Sequence, residues 1–148
     1  MAMNNAEIVD IMPLVAWPDN DLSYVPLPVS GNDGFPQTFL LQVEGSIYQL
    51  SLSVMYTDPA YILDSQYANS FFDLPDPQRG LFLNLRVEHD ELPAASRLIG
   101  VRRVVLERPL AFGPLRFRFH RISIAQGNLV GPGVLGSQLV AEVAVAHV

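Results

Sequence analysis

The feature that most constrains the fold of this chain is a set of short runs in which apolar and polar residues alternate. In residues 48–54 every second residue is apolar, and the residues between them are glutamine or serine. Residues 39–43 show a similar period, and Glu44-Gly45 separates the two runs. Successive side chains of a strand point to opposite faces, whereas an amphipathic helix needs a period of about 3.6 residues. The sequence therefore predicts a β-hairpin with one buried and one wetter face.

Four further segments have the period of a strand, and glycine- and proline-rich connections separate them. They cover residues 81–88, 98–108, 115–124 and 139–145. Helical periodicity is nearly absent, although the long connection 57–80 has room for a short helix near residues 60–70. This pattern predicts an all-β domain over residues 37–148, folded as a small antiparallel β-barrel or sandwich of about six strands.

Residues 1–36 carry a different signal, because five prolines interrupt any regular element there. Large apolar residues lie between these prolines, Trp17 and Tyr24 among them. A disordered tail would be poorer in such groups. We therefore expect an extended, proline-rich N-terminal arm that lies on a surface, with Trp17 and Tyr24 as partner-binding residues.

The charges of the chain are divided along its length. All nine basic side chains are arginines, and all of them lie between Arg79 and Arg121. Residues 1–78 carry ten acids and no base, and residues 79–148 carry nine arginines and five acids, a formal balance of −10 followed by +4. A G+C-rich genome would explain the missing lysines, but not the lack of bases before Arg79. So sharp a division predicts two surfaces of opposite charge, which are complementary either to each other or to neighbouring molecules.

Composition excludes several classes of function. Without cysteine, the chain has no disulfide, thiolate metal site or cysteine nucleophile. We expect no secretory signal and no transmembrane span, since residues 1–7 lack a basic region and no apolar stretch approaches ~20 residues. A pI near 4.8 disfavours nucleic acid as a partner. A charged content of 16%, against about 25% in typical domains, suggests that part of the surface is covered in an assembly.

The arginines of the fifth predicted strand form the clearest cluster. In a regular strand Arg116, Arg118 and His120 share one face, while Phe117 and Phe119 point to the opposite face and are expected in the core. Three partners remain open for this cluster: acids of the chain's own first half, an acidic neighbour in an assembly, or nucleic acid. We predict partner binding by the arginines of the fourth and fifth strands, namely Arg102, Arg103, Arg116, Arg118 and Arg121.

Residues with catalytic or metal-binding chemistry are sparse. His89-Asp90-Glu91 puts an imidazole beside two carboxylates, but adjacent residues on a strand point apart and chelate poorly. Asp73 and Asp76 lie in a proline-rich loop without an aromatic platform for a sugar. We find no nucleophile elbow, P-loop, dinucleotide fingerprint or paired-histidine zinc motif. We therefore expect no catalytic residue, no metal and no cofactor.

Several short motifs resemble those of the phage baseplate plug proteins. They are Val-Pro-Leu-Pro at residues 25–28, Gln-Thr-Phe at 37–39, the hairpin at 43–52, Gly-Pro-Leu-Arg-Phe at 113–117 and Leu-Gly-Ser-Gln-Leu at 135–139. The resemblance covers roughly residues 25–56 and 110–146. It implies a non-enzymatic virion protein of the contractile-tail baseplate, made in the host cytoplasm and contacting hub, tail tube or tape-measure proteins.

Two other classes of function stay open at this point. A β-barrel that binds a sugar or lipid would use the aromatic residues in and near the long connection, which are Tyr56, Tyr61, Tyr67, Phe71 and Phe72. An enzyme would need two or three polar side chains that meet in one cleft, with His89 or His120 among them.

Overall fold

Two β-sheets make up most of the structure. It is a computed structural model, and it describes residues 4–11, 22–131 and 136–146, with the backbone alone for 4–11. The first sheet has the strand order β1-β3-β4-β6-β7, and the second has the order β2-β10-β9-β5, with β8 also paired to β9. The strands are β1 Asn4–Ile11, β2 Val25–Pro26, β3 Gln37–Val43, β4 Ser46–Met55, β5 Phe71–Asp73, β6 Phe82–His89, β7 Leu98–Arg103, β8 Leu110–Phe112, β9 Leu115–Ala125 and β10 Gln138–Val145.

The predicted all-β class is confirmed, and each of the six predicted strands has a counterpart. The barrel alternative is wrong, because the described strands form two separate sheets with β1 and β7 at the two edges of the first. Pairing is antiparallel except between β1 and β3, which run parallel. The count exceeds six because β1, β2, β5 and β8 were not expected, and three of these have only two or three residues.

The predicted strand at 98–108 is too long, since β7 ends at Arg103. The Val104 N–H still donates to the Leu83 carbonyl of β6, but the Glu107 N–H donates to the Phe119 carbonyl of β9. The segment 104–107 therefore crosses from the first sheet to the second, and Val104 is fully buried at the crossing. Burial of the Val104 side chain stabilises this crossing.

Helical structure is limited to single turns in the described residues. The α-helical turns are α1 Ala60–Leu63 and α2 Gln126–Leu129, and 3-10 turns occur at Gly31–Asp33, Ser65–Tyr67 and Ala94–Ser96. No helix in the described part of the chain has the length and apolarity needed to cross a membrane.

The core lies between the inner faces of the two sheets. Residues of β3, β4 and β6 with the expected period of two meet their counterparts on β9 and β10 in one cluster. Phe117 and Phe119 are completely buried, as the alternation predicts. Burying a side chain of this size contributes roughly 1.5–3 kcal/mol, so the core fixes which face of β9 is turned outward.

Parts of the predicted arm pair with both sheets. β1 lies alongside β3, and β2 pairs with β10 at Val25 and Pro26. Leu27 and Phe35 are buried in the common core. Trp17 lies outside the described residues. The division into an arm at 1–36 and a β-domain at 37–148 stays a prediction.

Candidate functional site

The outer face of β9 carries a row of basic side chains. Arg116, Arg118 and His120 are half-buried there, while the residues that alternate with them are in the core. Arg121 follows and is exposed. We call these four residues the arginine face. The row lies on a strand that is held by β10 on one side and by β8 and β5 on the other, so its backbone is fixed.

A β-bulge interrupts the β9–β10 ladder within this face. Arg121 pairs with Val140 and Phe119 pairs with Ala141, so His120 is the extra residue on β9. A bulge interrupts the alternation of side chains and is a common device for re-aiming one of them. The consecutive residues His120 and Arg121 are therefore both accessible on the outer face.

His120 joins two carboxylates. Its Nε2 lies 3.0 Å from Oε2 of Glu142 on β10, and its Nδ1 is in contact with Oε1 of Glu107. Nε and Nη2 of Arg118 donate to the same Glu142 oxygen at 3.1 and 2.8 Å. The four side chains form one connected network, which we call the Glu142 network. Two cations and two anions balance its charge when His120 is protonated.

The network shifts the pKa values of His120 and Glu142. The hydrogen bond to Glu142 raises the pKa of His120, outweighing the desolvation that would lower it. Burial alone would raise the pKa of Glu142, but hydrogen bonds from His120 and Arg118 outweigh burial and hold that pKa below its usual range. Both shifts favour the charged forms of His120 and Glu142.

Tyr24 extends the network toward the N-terminal segment. The guanidinium carbon of Arg118 lies 4.1 Å from the centroid of the Tyr24 ring. Arginine stacks well on aromatic faces because its guanidinium is planar and weakly hydrated. Arg118 and Tyr24, both predicted partner-binding residues, are thus brought together.

Two further arginines of the face contact neutral groups. Arg121 donates through Nε to the side-chain oxygen of Gln138, and Arg116 donates through Nη1 to the carbonyls of Gly113 and Leu115 at 2.8 and 3.0 Å. Val140, which lies opposite Arg121 on β10, is 50% exposed. The face therefore presents cationic groups next to an accessible apolar side chain.

The carboxylates that contact Arg118 and His120 are not those expected by one of the three hypotheses for this cluster. Glu107 and Glu142 belong to the second half of the chain, whereas pairing with acids of the first half was one hypothesis for the cluster. Phe117 and Phe119 are buried, as expected, so neither ring is available to stack on a nucleic-acid base. The alternative that the cluster meets nucleic acid stays a prediction. An acidic neighbour stays a prediction.

A second basic group lies at the edge of the first sheet. Arg103 of β7 has its guanidinium carbon 3.6 Å from the ring centroid of Phe82, and that of Arg102 lies 5.8 Å from the ring centroid of Phe112. Leu98 and Val101 of the same strand are 49% and 48% exposed. We call Arg102 and Arg103 the arginine edge.

A shallow groove adjoins the arginine face. Its volume is about 200 Å³, and it lies where β5 ends and the crossing segment passes β9. Asp73, His120 and Arg121 supply its polar groups, so polar side chains with a histidine do meet in one groove, as the enzyme alternative required. The apolar wall consists of Leu74, Leu106 and Ile122.

The aromatic residues of the long connection mostly pack on one another. Ring centroids are 5.1 Å apart for Tyr61 and Tyr67, 5.9 Å for Tyr61 and Phe72, and 6.0 Å for Tyr67 and Phe72. Phe72 is 4% exposed. These three rings extend the core, whereas Tyr56 and Phe71 are exposed.

The tripeptide His89-Asp90-Glu91 closes a loop. The Glu91 carboxylate accepts a hydrogen bond from the Ile47 N–H at 3.1 Å, and the Asp90 N–H donates to the Ile47 carbonyl at 2.8 Å. The His89 ring lies 4.9 Å from that of Tyr48. Within the described residues no group of three or more metal-ligating side chains is present.

Glu107 and Glu142 were not identified from the sequence. Glu142 could have been found, because it lies directly opposite Arg118 in the β9–β10 ladder. Finding it requires the register, which the bulge at His120 shifts by one residue. No sequence pattern pointed to Glu107, because it reaches His120 from the segment that crosses between the sheets. Its own backbone has a positive φ of 64°.

Comparisons of this chain with protein-family models, curated proteins and solved structures find no match.

Proposed function

We propose that this chain is a structural component of a phage tail baseplate and binds neighbouring tail proteins through the arginine face and the N-terminal segment. Two lines of reasoning support the proposal: the resemblance of the motifs at residues 25–56 and 110–146, and the way the arginines are held. The observation that carries it is the position of Arg118, which Glu142 and Tyr24 hold on a rigid strand.

The composition of the arginine face suits a protein interface. Arginine and tyrosine are enriched in interfaces and dominate their binding energy. Arg118 is held before binding, so less side-chain entropy is lost when a partner docks. Arg121 is exposed and lies opposite the exposed Val140 of β10. A partner surface with carboxylates around an apolar residue complements this arrangement, and a hub, tube or tape-measure protein would supply it.

The proposed role is not enzymatic. Carboxylates contact both ring nitrogens of His120, so no nitrogen is left to accept a proton from a substrate. Its raised pKa favours the protonated ring over the neutral form that a general base needs. The adjoining groove of about 200 Å³ is smaller than the roughly 300–1,000 Å³ of typical ligand sites.

Incorporation into particles tests the proposal. A virus that lacks this chain is complemented with the wild-type chain, with Arg116→Glu/Arg121→Glu, or with the control Arg86→Glu, which reverses an exposed charge on the outer face of the first sheet. We expect the control to restore particles and the double variant to remain soluble and folded but unincorporated. Equal incorporation of all three chains, or folding loss confined to the double variant, would count against the arginine face as the contact.

A second candidate function is binding of a small ligand, a sugar or a lipid, and the groove beside His120 is the observation that favours it. A ligand at 100 times its dissociation constant stabilises the folded state by about 2.7 kcal/mol. A thermal-shift screen of monosaccharides and short fatty acids therefore tests this candidate. A shift that Arg121→Ala abolishes would support it, and no shift with any compound would reject it.

A further inference from the structure

The two edges of the first sheet differ in charge. β1 and β7 lie at opposite ends of the strand order, and in the described part of the chain each pairs with a neighbour on one side only. The sequence of β1 contains Glu7 and Asp10 and no base, whereas β7 contains Arg102 and Arg103 and no acid. The charge division along the chain thus reappears as an acidic and a basic edge of one sheet.

The backbone of β7 has groups available for another strand. The Val104 N–H donates to the Leu83 carbonyl of β6. In an antiparallel ladder every second residue directs its backbone N–H and C=O toward the neighbouring strand. The backbone groups of Arg102 and Gly100 therefore also face β6. The N–H and C=O groups of Val101 and Arg103 are consequently directed away from β6. An exposed edge of this kind is a template for pairing with a further strand.

The strand directions allow the sheet to continue into a second molecule. β1 and β3 are parallel, and each following pair, β3–β4, β4–β6 and β6–β7, is antiparallel. β1 and β7 therefore run in opposite directions. If a second copy continues the sheet in the same orientation, its β1 lies antiparallel to β7 of the first copy. Antiparallel pairing is the more stable arrangement.

We propose that β7 of one copy pairs with β1 of a second copy, so that the chain self-associates head to tail. Arg102 and Arg103 then lie across from a strand that carries two carboxylates. Opposite charges across a ladder stabilise it and like charges destabilise it, so two β7 edges repel each other. A contact between unlike surfaces closes into a ring or extends as a filament. This contact is independent of the proposed baseplate role, because it needs no other protein.

Sedimentation velocity of the purified full-length chain over a range of concentrations tests the proposal. The wild-type chain is expected to form oligomers that grow with concentration and dissociate in high salt, since screening weakens the pairing of exposed charges. Arg102→Glu/Arg103→Glu and Glu7→Arg/Asp10→Arg should each weaken self-association by at least about tenfold, because like charges then face each other.

Mixing the two double variants is the decisive step. The reversed β7 of one variant complements the reversed β1 of the other, so the mixture should recover the oligomers that each variant alone has lost. The quadruple variant, with both edges reversed, should also recover them. Recovery shows that the variants are folded and that these two edges meet.

Three outcomes would overturn the proposal. The first is a wild-type chain that sediments as a monomer at every concentration and salt. The second is the persistence of unchanged oligomers in both double variants. The third is a failure of both the mixture and the quadruple variant to recover oligomers, although circular dichroism shows that every variant is folded. A matched control, Arg86→Glu, reverses a charge on β6, an inner strand of the first sheet, and should leave association unchanged.

Discussion

The guanidinium of Arg118 lies on the ring of Tyr24, with 4.1 Å between the guanidinium carbon and the ring centroid. This contact joins the N-terminal segment to β9, and Glu142 holds the same guanidinium from the side of β10. A residue of the predicted arm is therefore coupled to the arginine face. The coupling has a consequence for stability that can be measured.

The Tyr24–Arg118 pair should show a favourable interaction free energy. Cation–π contacts that are partly exposed contribute about 0.5–1 kcal/mol. A double-mutant cycle with Tyr24→Leu and Arg118→Met, measured by urea unfolding, should give a coupling of that size. The same cycle with Tyr24→Leu and Arg86→Met is the control and should give none. A coupling of zero in the first cycle would mean that the two side chains do not interact.

The Glu142 network should make stability depend on pH at two points. The pKa of His120 is raised above its ordinary value of 6.5, so its contribution is complete below that value and is lost as pH rises through the raised pKa. The pKa of Glu142 is lowered from 4.5, so its contribution is present above that value and is lost as pH falls through the lowered pKa. Both contributions are complete between these two ordinary values.

His120→Gln should reduce the loss of stability at alkaline pH. Thermal unfolding between about pH 5 and about pH 9 should show a decline for the wild-type chain that is smaller in this variant. His89→Gln serves as the matched control, because His89 lies in the first sheet away from the network. An identical alkaline decline in the wild-type and His120→Gln chains would show that Glu107 and Glu142 do not stabilise the protonated imidazole.

Ser137 should matter more for stability than an exposed serine. Its hydroxyl oxygen accepts hydrogen bonds from the Ala125 N–H and from the Asn128 side chain, each at 2.9 Å, and both bonds are buried. Leaving a buried donor without its acceptor costs roughly 1–3 kcal/mol. Ser137→Ala should lower the free energy of unfolding by at least that amount, and exposed Ser53→Ala should change it little. Similar effects of both variants would contradict the buried network.

Local patterns predicted the strands that the core requires. The alternation at residues 48–54 predicted β4, and Phe117 and Phe119 were correctly expected inside. β1 was missed because its residues lack alternation, and β2 because prolines lie in and beside it; both pair with strands distant in sequence. The prediction of a barrel was wrong for a related reason. Closure of a barrel depends on which strands pair at the sheet edges, and no local sequence pattern indicates this.

The candidate site was predicted only in part. The shared face of Arg116, Arg118 and His120 follows from the period of two. Their carboxylate partners do not, because Glu142 is positioned by a register that a bulge shifts, and Glu107 by a crossing between sheets. The electrostatics of the face depend on contacts between segments far apart in sequence.

Quantitative mass spectrometry of tail particles, purified by density gradient from infected cells, tests the central claim most directly. The account predicts this chain at a fixed ratio to the other tail proteins, retained through washing of intact particles. A chain that is abundant in the lysate but absent from every particle fraction would contradict the claim that it is a structural component of the tail.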